Sequence, residues 1–289
     1  MKLLVHQNNE LLLDFILRNN KDSISRNKLK NILTKGCISV NGKAITQYNY
    51  KLHIGDEICI QREKMTPYKN FYSQSLKIIY EDNNIIIIDK ACGVLSMQTA
   101  HHGYSIKTIL DKYFRESHQN CNAHVVHRLD RDTSGLMIYA KNRDIQQLYE
   151  ENWKQMVTDR KYIAVVEGIM EKDSGRIESF LKDDKFFFTF SSPVDNGGKL
   201  AITNYKVLKH NNNYSLVEFK LDTGRKNQIR VHSDLIGHPI VGDTKYGKHN
   251  TEMPRLCLHA YKLHLYLPNT NKVIKFETPI PDYFLKLVM

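Results

Sequence analysis

The stretch His124–Lys141, HVVHRLDRDTSGLMIYAK, gathers the residues best suited to chemistry. Asp130 stands between Arg128 and Arg131, with Asp132 two places on. Two guanidinium groups beside a carboxylate favour its ionised form, so the sequence predicts a carboxyl pKa below the usual Asp value. Such a carboxylate can serve as a nucleophile, a base or a stabiliser of positive charge. Taken alone, R-x-D-R-D reads as a solvated ion-pair turn worth little energy.

The flanking residues predict how that segment is held. Val125-Val126 and Leu136–Ala140 are apolar and rich in strand formers, whereas Thr133-Ser134-Gly135 is turn chemistry, so the charged residues sit on a loop between two strands. Ile85–Ile88, four isoleucines bounded by the polar turn Glu81–Asn84, reads as a central strand buried on both faces. Ser105 is placed to cap a helix bearing Ile106, Ile109, Leu110, Tyr113 and Phe114 on one side. A second helix is expected from Arg143 to Met156, with Ile145, Leu148, Tyr149 and Met156 inward and Trp153 as a packing residue. Arg160–Gly168 reads as a strand, 175–220 as alternating strands and turns that include Phe186-Phe187-Phe188, and the C-terminal segment as two further strands.

Composition narrows the class. Apolar content of 41% supports a real core, and no apolar run is long enough to span a bilayer. MKLLVHQNNE lacks the pattern of a signal peptide, and five scattered cysteines fit reduced thiols, so a cytosolic protein is expected. Cys121, His124 and His127 lack a second ligand pair at zinc spacing, and no metal is expected. The net charge of +11 points to an anionic partner, with nucleic acid foremost.

Much of that charge lies at the start. Residues 1–64 hold eleven Lys or Arg against six Asp or Glu. Leu11, Leu12, Phe15 and Ile16 recur at helical spacing, as do Leu29, Ile32 and Leu33, and the second helix carries Arg26, Lys28, Lys30 and Lys35 on its other side. Ser25 is placed to start that helix and Gly36 to end it, after which Ile38–Val40, Asn41-Gly42 and Lys43–Ile45 form a hairpin. We therefore divide the chain into a small module (1–62), a linker (63–75) and a large domain (76–289).

Two resemblances sharpen these expectations. SRNKLKNILTKGCISVNGK, closing on GDEICI, resembles the small RNA-binding domain first known from a small-subunit ribosomal protein, which implies RNA contact by Arg26, Lys28, Lys30, Lys35, Asn41 and Lys43. HRLDRDTSGL resembles the signature of the RluA family of pseudouridine synthases. That resemblance implies that Asp130 is the catalytic carboxylate and that Arg128 meets the RNA near the flipped nucleotide, with His127 and Arg225 as further RNA-binding residues. It also implies that Tyr162, in the segment RKYIA, faces the target uracil, and that Arg230, in TGRKNQIRVH, is the partner of the catalytic Asp. Lys199, Ala201 and Thr203 follow the family's K-x-A-x-T spacing, and His259 in LHA reads as a structural histidine.

The chain departs from the family pattern in three places. Ala91 replaces a usual Pro, and Lys226 and Asn227 replace a usual Thr and His. Asn227 can hydrogen-bond but cannot titrate. The implied fold is α+β, a small α/β RNA-binding domain followed by a catalytic domain with a mixed, mostly antiparallel sheet. The implied activity is isomerisation of uridine to pseudouridine in RNA, without a cofactor, by a monomer. Large-subunit ribosomal RNA is the first substrate expected and transfer RNA the second. Two other classes compete: a glycosylase, which would need a second positioned carboxyl group, and a non-catalytic RNA-binding or ribosome-assembly factor.

Overall fold

The computed structural model describes residues 2–6, 8–19, 25–34, 36–41, 43–60, 72–99, 103–247, 253–270 and 272–289. The chain begins with β1 (Lys2–Leu4), α1 (Leu12–Asn19), α2 (Arg26–Thr34), β2 (Ile38–Val40), β3 (Lys43–Ala44) and β4 (Glu57–Ile60). Its strands form an antiparallel sheet in the order β1-β4-β2-β3. The expected helical faces supply the core here: Leu12, Phe15 and Ile16 from α1 and Leu29 and Leu33 from α2 pack on Ile38, Val40, Leu52 and Ile58. Gly36, just beyond α2, takes the left-handed backbone (φ 67°) that stops a helix.

The linker expected over 63–75 falls for the most part outside the described residues. Its end contains β5 (Tyr72–Ser73), which pairs with β6 (Leu76–Glu81). There follow β7 (Ile85–Lys90), α3 (Ile106–Glu116), β8 (His124–Val125), β9 (Ser134–Ala140), α4 (Arg143–Glu151), α5 (Trp153–Met156), β10 (Val157–Glu167), β11 (Ser174–Asp183), β12 (Thr189–Ser192), β13 (Lys199–His210), β14 (Tyr214–Leu221), α6 (Gln228–Leu235), β15 (Leu258–Tyr266), β16 (Val273–Glu277) and α7 (Asp282–Leu287). These strands form one sheet, ordered β12-β11-β13-β14-β10-β15-β9-β7-β6-β5, with β16 on β15 and β8 on β9. It is the mixed, mostly antiparallel sheet expected: the one parallel pairing among the described strands is β9 with β15.

The four isoleucines of β7 are fully buried and serve two cores, Ile86 and Ile88 on one face of the sheet and Ile85 and Ile87 on the other. Ser105 caps α3 in a reciprocal box with Thr108. The helix expected over 143–156 is broken. Asn152 leaves helical geometry and its amide donates to the Leu148 carbonyl at 3.0 Å, so the chain restarts as the short α5. A side chain that bonds its own preceding turn competes with helix continuation.

The parallel joint positions the site. His259 aligns with Ser134 and Ala260 with Gly135, while Ala260 on its other side aligns with Tyr162 of β10. Tyr162 is thereby brought within one intervening strand of the segment that follows Asp130. Gly135 has φ 116°, and a Cβ there would lie on the Ala260 backbone. We expect Gly135→Ala to cost about 1–2 kcal/mol in backbone conformation, with displacement of β15 added, read as a lower denaturant midpoint and a loss of activity beyond what the unfolded fraction explains.

Candidate active site

The loop between β8 and β9 is fastened by its backbone. Lys90 closes β7 with its side chain fully buried, and its ammonium donates to the carbonyls of Ala91 (2.9 Å), Val94 (2.8 Å) and Arg131 (2.9 Å). Three N–H donors meet three acceptors, which leaves none of the buried lysine's donors unused. The Arg131 carbonyl also accepts from Gly93 N–H at 2.9 Å, and Cys92 Sγ lies 3.0 Å from the Asp132 carbonyl. On the other side of Asp130, Ser96 Oγ accepts from Leu129 N–H (3.2 Å) and donates to the Leu129 carbonyl (2.6 Å). Both neighbours of Asp130 are thus pinned to the segment 91–96. Burial pushes the Lys90 pKa down to about 8, against the pull of Cys92, Asp132 and Asp130.

The Asp130 side chain is half-buried, and among the described residues no hydrogen bond or ion pair reaches its carboxylate. The sequence predicts a depressed pKa here, and the balance goes the other way. Burial raises it, outweighing the lowering by Arg230, Arg128 and Lys90, while Asp132 raises it further. Arg131, one of the two flanking arginines, turns outward to Asp132 (3.0 and 3.2 Å) and is mostly exposed, so its charge is spent there. Arg128 is exposed and unpaired among the described residues.

Arg230, on α6, comes next. Its fork is taken by Asp243: Nε and Nη2 each donate to a carboxylate oxygen at 2.7 Å, and Nη1 donates to Asn227 Oδ1 at 3.1 Å. Backbone N–H groups of Lys245 and Tyr246 hold the Asp243 carboxylate (2.9 and 3.0 Å). Burial would raise Asp243, but Arg230 and these donors keep it below the usual value. Where the sequence suggested direct pairing of Arg230 with Asp130, Asp243 holds the guanidinium and Asp130 feels its charge through space. Asn227 (φ 53°) spans Arg230 and the Tyr246 hydroxyl (3.1 Å), so an untitratable amide orients the arginine where the family usually has His.

Asp130, Tyr162 and Arg230 line one cavity of about 1430 Å³ together with His127, Arg128 and Arg225. Among the described residues that line it, seven are Lys or Arg and five Asp or Glu. Tyr162 is buried, its hydroxyl has no hydrogen bond among the described residues, and burial raises its pKa. Arg160 lies between the rings of Trp153 (5.3 Å) and Tyr162 (6.0 Å), with a buried Nε that has no hydrogen-bond partner among the described residues. Trp153, expected only to pack, therefore forms part of the cavity wall. His127 is held neutral, its pKa lowered to about 3 by burial and Arg160, and its Nε2 accepts from Ile138 N–H at 3.2 Å. The proton then sits on Nδ1, a buried donor with no partner among the described residues. His127 therefore adds no charge to the cavity wall. Arg225 is exposed and steadied by one bond to the Leu200 carbonyl (2.9 Å).

The remaining predicted positions separate into structural and free groups. Ala201 is buried against Val231 and Tyr246, and Thr203 Oγ1 bonds Gln228 (2.9 Å) and His232 (2.9 Å), so the K-x-A-x-T segment seats α6. His259 bonds Ser134 (2.7 Å) and Thr278 (2.9 Å), the structural role expected. In the small unit, Arg26 and Lys30 are exposed on α2, with Arg26 3.3 Å from Asp14 and Lys30 over the Tyr48 ring. Lys28 lies in α2 and Lys43 in β3; Lys35 lies outside the described residues. The Asn41 amide is occupied by Asp56 (2.7 Å) and Glu57 N–H (2.9 Å), which bind the hairpin to β4.

Comparison with known proteins gives this geometry its context. Residues 84–234 match the family described as RNA pseudouridylate synthase, and residues 13–58 match the S4 domain. The chain belongs to the RNA pseudouridine synthase family. It is 32% identical to an uncharacterized RNA pseudouridine synthase, YlyB, of Bacillus subtilis, across 96% of this chain and 92% of that one. It is also 32% identical to the ribosomal large subunit pseudouridine synthase D of Borreliella burgdorferi, across 96% and 88%. Human RNA pseudouridylate synthase domain containing 1 shares the fold, with a TM-score of 0.59 and 24% identity over 71% of this chain and 83% of that one. As a pseudouridine synthase with an S4 domain, the protein has RNA as its partner.

Lys90, Trp153, Arg160 and Asp243 are the site residues that sequence reasoning passed over. Lys90 had a signal: a lysine ending a strand buried on both faces must find partners. Asp243 stands thirteen residues beyond Arg230, and nothing local in the sequence ties the two together. The half-buried carboxylate of Asp130, without a hydrogen bond or ion pair among the described residues, carries a stability cost at neutral pH. Its folded pKa is raised, so the fold gains stability as pH falls through that value. We expect Asp130→Asn to abolish activity and to melt above wild type at pH 7, with the difference shrinking toward pH 4.

Proposed function

We propose that the protein isomerises uridines to pseudouridine in large-subunit ribosomal RNA, with Asp130 as the catalytic residue and Tyr162 and Arg230 completing the site. The observation that carries this reading is the unpaired Asp130 carboxylate on a pinned loop, facing a cavity shared with Tyr162 and Arg230. The target base must leave its stack to reach that carboxylate. Arg128, exposed and unpaired, enters the space the base vacates, and the Tyr162 ring supports the uracil within the cavity. Isomerisation breaks the bond from ring nitrogen 1 to the ribose with the electron pair kept on that nitrogen, turns the uracil, joins ring carbon 5 to the same ribose carbon, releases the proton of carbon 5 and places a proton on nitrogen 1. Atoms and electrons balance within the nucleotide, so no cofactor is required. Arg230, fixed by Asp243, favours the ionised form of Asp130 without neutralising it by contact.

The S4 match and the names of the relatives in Borreliella burgdorferi and Nitrosomonas europaea, both ribosomal large subunit pseudouridine synthase D, support ribosomal over transfer RNA. The basic helix α2 then adds affinity through Arg26, Lys28 and Lys30, with Lys35, Asn41, Lys43, Arg225 and His127 as further contacts. The enzyme acts as a monomer in the cytosol, which sedimentation and fractionation would check.

Tritium release from RNA labelled at uracil carbon 5 is the direct assay. Wild type is expected to release it and Asp130→Asn to fall by at least about a thousandfold. A wild-type protein that binds unmodified ribosomal RNA but releases none would overturn the catalytic assignment. Loss of pseudouridine confined to transfer RNA, in cells lacking the protein, would overturn the substrate. Because Asp130 works ionised from a raised pKa, the rate should fall on the acid side with a midpoint above the ordinary Asp value near 3.8.

A further inference from the structure

The turn between β11 and β12 carries an unusual surface. Phe186 and Phe187 are 76% and 73% exposed, and Phe188 and Phe190 are also partly open to solvent. Large apolar rings in adjacent exposed positions are costly unless something covers them. The backbone adds a second anomaly. Phe187 has φ 62°, the left-handed region that glycine and asparagine occupy without strain and a bulky side chain rarely adopts. Its ring gains no burial in return, and an outlier of this kind is reason to look for a role outside stability.

The turn is nevertheless rigid. The Asp184 carboxylate accepts from the N–H groups of Phe186 and Phe188, both at 2.8 Å, and the Asp184 carbonyl accepts from Phe187 N–H at 3.1 Å. Two lysines hold its tip from across the molecule, Lys226 Nζ (2.9 Å) and Lys245 Nζ (3.0 Å) both donating to the Phe187 carbonyl. Lys226 lines the catalytic cavity, and Phe188 packs at 4.7 Å on Tyr246, whose hydroxyl meets Asn227 and whose ring underlies Arg230. The turn is therefore continuous with the site. Both departures from the family's T-G-R-T-H segment, Lys226 and Asn227, belong to this connection. Lys185 lies over Phe186 and Lys226 over Phe187, so each open ring has a cation beside it.

We infer that this turn is a stacking platform for unpaired bases of the RNA substrate next to the target uridine, with Phe186 and Phe187 under two bases and Lys185 beside their phosphates, while Lys226, paired with Asp183 at 2.8 Å, holds the turn in place. Flat rings take any base, cations suit the backbone, and a pre-formed turn loses little entropy on binding. The inference rests on the cavity being the site of uridine isomerisation, since that is what brings RNA to its rim.

The test compares wild type with Phe186→Ala/Phe187→Ala, Phe186→Tyr/Phe187→Tyr and Phe187→Asn. Binding of a fluorescein-labelled oligouridylate of about 12 nucleotides is followed by anisotropy over a range of salt, alongside tritium release from unmodified ribosomal RNA. The alanine pair should weaken oligouridylate binding about tenfold per ring, with an unchanged salt slope because no phosphate contact is lost. It should raise KM and leave kcat unchanged, and the tyrosine pair should restore both. Phe187→Asn should bind more weakly yet melt at or above wild type, the reverse of a structural residue. Unchanged affinity in the alanine pair overturns the platform. So does wild-type self-association in sedimentation that the alanine pair abolishes without loss of RNA affinity, which would make the patch an interface between copies. Absence of tritium release by wild type, with the binding loss intact, counts against the isomerase reading alone.

Discussion

The candidate active site depends on one close approach, Gly135 of β9 against Ala260 of β15. This parallel pairing joins two antiparallel halves of the sheet, one carrying the Asp130 loop and the other carrying Tyr162, Arg230 and the strands beyond. Glycine is required there by both its positive φ and the absence of a Cβ. Given that contact, Ala260 stands between Gly135 and Tyr162 in one row across three strands, and the spacing of the proposed catalytic groups follows from strand geometry.

Around that joint, charge is arranged by backbone and burial more than by ion pairs. Lys90 spends its ammonium on three carbonyls, Arg230 spends its fork on Asp243, and Arg131 turns outward to Asp132. Among the described residues Asp130 is left without a hydrogen bond or ion pair to its carboxylate in the middle of this set. A carboxylate kept uncommitted in a partly dry cavity is poised to act, and the surrounding fold bears the cost of keeping it there.

Local patterns in the sequence foretold local structure well. The isoleucine run of β7, the Ser105 cap and the two apolar stripes of the small unit all hold, because each rests on periodicity or on a cap that acts over a few residues. The sign of the Asp130 pKa shift was not legible, since it turns on burial and on where Arg131 points. The break at Asn152 required knowing that its amide bends back to Leu148. The Arg230–Asp243 pair joins residues thirteen apart through a loop, a relation that spacing does not encode. The catalytic role proposed for Asp130 rests on the length of the HRLDRDTSGL string; its charges alone spoke for a surface turn.

The strand that follows the aromatic turn ends the large sheet, so β12 presents an open edge beside the run FFFTF. A short window of aromatic and β-branched residues at an unpaired edge is what drives chains to stack into cross-β aggregates. Here the run is bracketed by Lys182, Asp183, Asp184 and Lys185 before it and broken by Pro193 after it, residues that oppose edge-to-edge pairing. The same segment therefore carries a hazard during synthesis and refolding, and its flanking charges act as gatekeepers whose removal would show first as lost solubility.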